Sequence, residues 1–335
     1  MPTLDIVETT LDRATAGSGG PVFRRIWRTG AVASAVWLAA AGLTLRWPDS
    51  GHTGPTPILA SGMAAVGVAW LVASVASVSV DLTRLSRAGP WSIALALLLA
   101  GWELATAKLD LLPRPFFVSP QSLIQVYIDD WQRLADCTLH SLALLFTGYA
   151  TGTAFGFLCG VSIGWSRTAS YWMHPLLRFV GPVPAVAWLP MAFFVLPSSW
   201  SAAVFLIALA TGFPVTVLTW SGIAGVSAAY YDVARTLGAG RRFLIFRVAI
   251  PAALPSVFVG LFMGLGASFS VLVVAEMMGV RAGLGWYLTW AQGWAAYFNM
   301  YAALFLMALM CSSVMTLLFR LRDRVLGWQR GLLRW

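Results

Sequence analysis

Charge is what this sequence has least of. Only 10% of its 335 residues are Asp, Glu, Lys or Arg and 59% are hydrophobic, whereas a soluble globular chain carries roughly 25% charged residues. That balance excludes an ordinary soluble globule and indicates an integral membrane protein. Lysine is scarcer still: Lys108, preceded by Ala107, is the single one. The phosphate-cradling P-loop requires Gly before its Lys, so the sequence has no ATP site of that kind. The three cysteines, Cys137, Cys159 and Cys311, fit neither a metal spacing nor a disulfide framework. His52, His140 and His174 stand apart from one another, and no acid, base and nucleophile converge. The expectation is therefore a protein that is not an enzyme, with no metal centre and no cofactor bound by the chain itself.

What the sequence has in abundance is long apolar runs. A bilayer-crossing helix needs about 20 mostly apolar residues, because lipid offers no partner to an unpaired backbone group. Eight such runs are present, at about 30–46, 58–80, 90–107, 138–164, 174–196, 201–222, 252–278 and 298–319. The fold class is thus all-α, a polytopic transmembrane bundle. The formal net charge of +9 would suit nucleic acid, but its distribution assigns it to one membrane face instead. With a cytoplasmic N-terminus, the cytoplasmic side holds Arg13, Arg24, Arg25, Arg28, Arg84, Arg87, Arg167, Arg178, Arg235, Arg241, Arg242, Arg247, Arg320, Arg322, Arg324, Arg330 and Arg334. The outer side holds only Arg46, Lys108, Arg114, Arg133 and Arg281. This asymmetry predicts both termini on the cytoplasmic side. No basic n-region with a short apolar core opens the chain, so residues 1–29 are expected to be an unstructured cytoplasmic lead-in rather than a cleaved signal.

Three local patterns add detail. The outer segment 113–136 begins Pro113-Arg114-Pro115, reaches Ser119-Pro120, and then sets Leu123, Val126, Tyr127, Asp130/Trp131 and Leu134 at three- to four-residue steps. This predicts an amphipathic surface helix, the alternative being a solvated loop. Gly148, Gly152, Gly156, Gly160 and Gly164 recur every fourth residue and predict a stripe against which a second helix packs closely. The stretch from Gly181 to Pro190 contains Pro182, Pro184 and Pro190 and cannot be regular helix throughout. A broken span leaves carbonyls unpaired at membrane depth, tolerated only against protein or a water-filled path. Pro182, Pro184, Trp188 and Pro190, with Phe269, Glu276 and Met277, are therefore candidates for a translocation pathway. The plainer alternatives are a packing kink, apolar packing of Phe269 and Met277, and a Glu276 bonded to a neighbouring helix. Glu103 invites the same comparison as Glu276, and a structural role is favoured there.

From Asp232 to Pro251 a basic polar island interrupts the apolar runs. Its spacing resembles the EAA loop of ABC-importer permeases: Asp232-Val233-Ala234, then Gly238, then Val248, Ile250 and Pro251. Further pieces resemble the nitrate/sulfonate/taurine/bicarbonate branch of those permeases, in order, over about residues 90–335. They are Pro182-Val183-Pro184, Ala187-Trp188-Leu189-Pro190, Ala234-Arg235-Thr236-Leu237-Gly238, Leu254-Pro255, Ala275-Glu276-Met277, Gly283-Leu284-Gly285 and a tail ending Arg334-Trp335. The triplet opens with Asp-Val-Ala rather than Glu-Ala-Ala, residues 197–201 lack the usual Gly and Lys, and Trp220 stands near a common Asn.

The resemblance implies a type I permease core of about six helices over 90–320 with its coupling loop at 230–251, preceded by an extra helical pair at 30–89 and followed by a basic tail, 321–335. It implies an ABC ATPase subunit that carries ATP and Mg, an extracytoplasmic solute-binding protein, a second copy of the permease, and a small oxyanion as solute. A vitamin precursor or other small organic molecule is the alternative, and an ion-coupled secondary transporter a more distant one. Tyr231, Asp232, Ala234, Arg235, Leu237, Gly238, Arg241, Arg242 and Pro251 are expected at the coupling surface, with Tyr231, Ala234, Leu237 and Gly238 on its docking side. The arginines serve there either as partner contacts or as membrane-side anchors. The bacterial cytoplasmic membrane is the expected location.

Overall fold

Long apolar runs in a medium without water close their hydrogen bonds within each segment, and helices follow throughout. The computed structural model describes residues 27–51, 54–76, 88–112 and 115–328. The chain divides into two compact units at Gln125 and Val126. In the first unit, α1 (Arg28–Arg46) packs against α2 (Thr56–Ala76) and α3 (Gly89–Glu103) around Trp37, Ala40, Ala41, Met63 and Ala96. α3 runs on as a π-helical turn, Leu104–Lys108, whose wider pitch brings residues five apart toward one face. Glu103 and Lys108 are such a pair, 3.6 Å apart and both buried. Lys108 Nζ donates to the carbonyls of Thr44 (2.8 Å) and Trp47 (2.6 Å) and pairs with Asp49 at 2.7 Å. Glu103 accepts from Thr44 Oγ1 (2.7 Å) and Gln121 Nε2 (2.8 Å). A buried charge is tolerated only when paired and hydrogen-bonded in this way, and Glu103 is held in such a set.

α4 (Pro120–Asp129) starts where Ser119-Pro120 predicts, and Leu123 and Val126 are buried. It is shorter than the expected surface helix, because the chain breaks at Asp130 and Trp131 already opens the next span. In the second unit that span, α5 (Trp131–Trp165), lies against α8 (Ser199–Ala224), and α8 lies in turn against α10 (Arg241–Met278). The glycine stripe makes the first contact: a Cβ at Gly152 would meet the Ala208 carbonyl oxygen at 2.5 Å, and one at Gly156 that of Gly212 at 2.6 Å. Gly260 and Gly264 of α10 pack less tightly on the other side of α8, where a Cβ would meet the carbonyl oxygens of Pro214 at 3.1 Å and Thr211 at 3.2 Å, so α8 is the buried axis of the unit. Its Thr211 hydroxyl meets Ser268 of α10 at 2.5 Å.

The run expected at 174–196 is two helices, α6 (Arg167–Val180) and α7 (Leu189–Val195), joined through a 3₁₀ turn at Ala185–Trp188 and bent by 86°. Among the described residues seven helices are long and apolar enough to cross a membrane, and the bent pair makes an eighth crossing if taken as one span. Three further helices follow α8 among the described residues besides α10. α9 (Ala228–Thr236) fills the polar island, and α11 (Leu284–Gly293), absent from the sequence reading, folds between α10 and the last span, α12 (Tyr297–Val325). Asp130 accepts from Tyr287 of α11 (2.8 Å) and Asn299 of α12 (3.1 Å), tying the start of α5 to both. The lead-in as far as residue 26, His52, Arg84, Arg87, Pro113, Arg114, Arg330, Arg334 and the end of the basic tail lie outside the described residues.

Candidate functional site

The polar island folds as helix, reversal and helix. α9 ends at Leu237 and Gly238 takes φ +82°. The Ala239 amide donates to the Ala234 carbonyl (3.0 Å) and that of Gly238 to Arg235 (2.9 Å), the paired bonds of a Schellman C-terminus, which needs a residue at positive φ. Gly238 serves the turn and no close approach, since a Cβ there would meet nothing within 4 Å. Pro251 lies not on the exposed island but within α10, two residues after the π-helical turn Leu244–Ala249 of the same helix. Proline cannot donate to the carbonyl four residues back, and the helix widens there instead.

The two faces of α9 differ from the expected ones by one residue. Tyr231 is turned inward, its ring edge-on to Trp165 at 6.0 Å and packed on Ile223, Ala249 and Ala253. Burial raises its phenol above the ordinary value, so it stays protonated at neutral pH. Ala234 is half-buried beside it. The outward face carries Tyr230, Val233 and Leu237, 65%, 62% and 83% exposed, at the i, i+3, i+7 positions of one stripe. Asp232 and Arg235 flank it as an exposed ion pair at 3.2 Å, and Arg241, Arg242 and Arg247 are exposed beyond. Of the residues expected on the docking side, Leu237 lies on the outward face and Tyr231 and Ala234 face inward, while Tyr230 and Val233, not among those expected, share the outward face. An exposed apolar stripe ringed by charge is the usual mark of a protein contact.

The break between α6 and α7 borders a cavity of about 450 Å³ lined by Val180, Gly181 and residues 183–186, by Phe213 and Pro214 of α8, and by Met263, Ala267 and Ser270 of α10. Among the expected pathway residues Pro184 lines it. Pro182 and Pro190 are exposed elsewhere on the bend, Phe269 is buried, and Met277 is half-buried near the far end of α10. Trp188 is half-buried, and its enclosed Nε1 makes no hydrogen bond to the described residues.

Glu276 faces away from the cavity. Its Oε1 accepts from Ser141 Oγ (2.7 Å) and its Oε2 from the Gly285 amide (2.8 Å), while the Leu284 amide donates to Ser141 Oγ (2.9 Å). The carboxyl thereby caps α11, satisfying amide groups that a helix start leaves unpaired. Gly283, at φ +100°, must be glycine twice over, since a Cβ would also run into that carboxyl. Glu276 and the Gly-Leu-Gly triplet are thus one device joining α5, α10 and α11.

Residues 152–327, more than half of the chain, match the family of binding-protein-dependent transport system inner membrane components. The bicarbonate transport system permease CmpB of Synechococcus elongatus is 29% identical over 61% of this chain and 69% of its own length. The nitrate import permease NrtB of the same organism is 27% identical over 62% and 76%. A protein described as a probable ABC transporter permease of Brucella melitensis is 29% identical over 62% and 84%. The MetNI methionine ABC transporter, solved in inward-facing conformations, shares the fold at a TM-score of 0.51 over 58% of this chain and 97% of that chain, at 16% identity. The broken crossing, the polar island and the spans α8 and α10 fall within that match, and the chain belongs to the binding-protein-dependent inner membrane component family as the multi-pass permease subunit of an ABC importer.

Proposed function

We propose that the outward face of α9, continued by Arg241, Arg242 and Arg247, is the surface on which a separate ABC ATPase subunit docks and through which it moves the permease. The observation that carries this is the stripe of Tyr230, Val233 and Leu237, exposed beside the Asp232–Arg235 ion pair on a helix that is ended by the Gly238 turn and packed on Trp165 through Tyr231. Partner contacts concentrate on such apolar and aromatic anchors, with charged residues at the rim. In this reading the face lies in the cytoplasm with both chain ends, as the arginines of α6 and α9, of the start of α10 and of the end of α12 favour. ATP and Mg sit on the ATPase, an extracytoplasmic binding protein delivers the solute from the other side, and two copies of the permease work together in a bacterial cytoplasmic membrane.

The solute is a small oxyanion, by analogy with relatives named for bicarbonate and nitrate, and it passes beside the α6–α7 break. A small organic molecule is the second reading, favoured by the mainly apolar lining of that cavity. The test of the docking face is the double variant Val233→Asp with Leu237→Asp, reconstituted with the ATPase. Insertion in the membrane is expected to be unchanged and stimulation of ATP hydrolysis to be lost. Stimulation at the level of the unaltered protein would remove the proposal.

A further inference from the structure

α6 is the most two-faced helix of the chain and has no buried residue. One stripe is Trp172, Leu176 and Phe179, 69%, 56% and 70% exposed. The opposite stripe, Ser170, His174 and Arg178, repeats every four residues and so lies on one side. Together with Tyr171 it faces Val217 and Trp220 of α8 across a cleft of about 690 Å³. The His174 ring stands edge-on to the Trp220 ring at 4.4 Å, which fixes its place in the cleft.

The cleft has donors and no carboxylate of its own. Neither α6 nor α8 contains an acid, since no Asp or Glu occurs between Asp136 and Asp232. Among the described residues no ion pair involves Arg178. A guanidinium, an imidazole N–H and two hydroxyls therefore converge without a counter-charge. A planar fork of guanidinium N–H groups matches an oxyanion in geometry as well as charge. Position along the helices adds a direction. The apolar cavity uses α6 from Val180 onward and α8 at Leu209–Pro214, while the cleft uses α6 at Ser170–Arg178 and α8 at Val217 and Trp220. The two follow one another along the same seam. An anion that has shed part of its hydration in the apolar cavity meets hydrogen-bond donors and positive charge first at this cleft.

We propose that the cleft of Ser170, Tyr171, His174 and Arg178 is a binding site for a small oxyanion on the cytoplasmic side of the α6–α7 break, receiving the solute as it leaves. This rests on the oxyanion reading and on the cytoplasmic placement of α9 given above. The test is carbethoxylation of His174 by diethylpyrocarbonate, read peptide by peptide by mass spectrometry, on the permease–ATPase complex in nanodiscs. Sodium nitrate and sodium methanesulfonate are the probes, and sodium chloride at the same ionic strength is the reference. The expected result is saturable protection, the His174 rate falling about tenfold at about ten times the dissociation constant, with no change at His140, which lies at the other end of α5. Protection is expected to vanish in Arg178→Gln and to persist in part in Arg178→Lys, whose retained charge also checks that the helix is intact.

Equal rates in all three salts, or protection undiminished in Arg178→Gln, would overturn the proposal. So would protection that depends on adding anionic lipid to the nanodisc and not on the soluble anions, since the site would then hold a headgroup. A complex that assembles and hydrolyses ATP but shows no protection fails this inference alone and leaves the docking face standing.

Discussion

Two residues show how far a motif can be reduced to mechanics. Gly238 is required by its φ of +82° alone, because no neighbouring atom would obstruct a side chain. Gly238→Val is therefore expected to cost about 1–2 kcal/mol of local stability, the penalty of the left-handed region for an L-residue, and to impair pairing with the ATPase. Gly240→Ala, at a position with open space and ordinary φ, is expected to be silent. Equal effects of the two in a binding titration would show that the turn is not the reason for the glycine. Glu276 makes the second case. Glu276→Ala strands the Gly285 amide and Ser141 hydroxyl in a buried place, at about 1–3 kcal/mol, whereas Glu276→Gln keeps an oxygen acceptor and is expected to recover part of that loss. Thermal unfolding in nanodiscs measures the difference. If both variants unfold like the parent yet abolish transport, Glu276 acts in the pathway and not in holding α11.

Among the elements, the α5–α8 contact carries the second unit, because backbone meets backbone along the glycine stripe. Gly156→Leu is expected to force the helices apart and destabilise the fold by at least the ~1–3 kcal/mol of an overpacked core, lowering the unfolding temperature. Gly266→Leu, where no atom lies within 4 Å, is the control, and a melting temperature that falls equally in both would contradict the packing role. This stripe was legible in sequence because a four-residue repeat states its own geometry. The break after Val180 was legible because proline admits no alternative.

Other elements were not legible, for physical reasons. α11 is apolar and short, and its start is capped by Ser141 and Glu276, partners far away in the chain or on another helix. The facing of α9 depends on which of two adjacent tyrosines meets Trp165, and no local pattern distinguishes Tyr230 from Tyr231. The π-helical turn that pairs Glu103 with Lys108 is likewise invisible to a periodicity argument. So is the cleft at His174, which α8 completes from the other side of the broken crossing.

For the whole molecule, the proposed division of labour accords with how its buried carboxyls are engaged. Its two carboxyls at membrane depth, Glu103 and Glu276, are both engaged in closed hydrogen-bond sets, which speaks against the freely titrating acid that ion coupling would need. In the proposed reading work enters from a separate ATPase, through a surface that is packed against the helices and apolar toward a partner. α9 meets both conditions, with Tyr231 anchored on α10 and Leu237 presented to the surroundings.

The most direct measurement places a photo-crosslinking amino acid at position 237 or at position 231 of the permease in cells that also make the ATPase. The account predicts that the ATPase is captured from 237 and not from 231. Capture from 231 alone, or from neither, would contradict it.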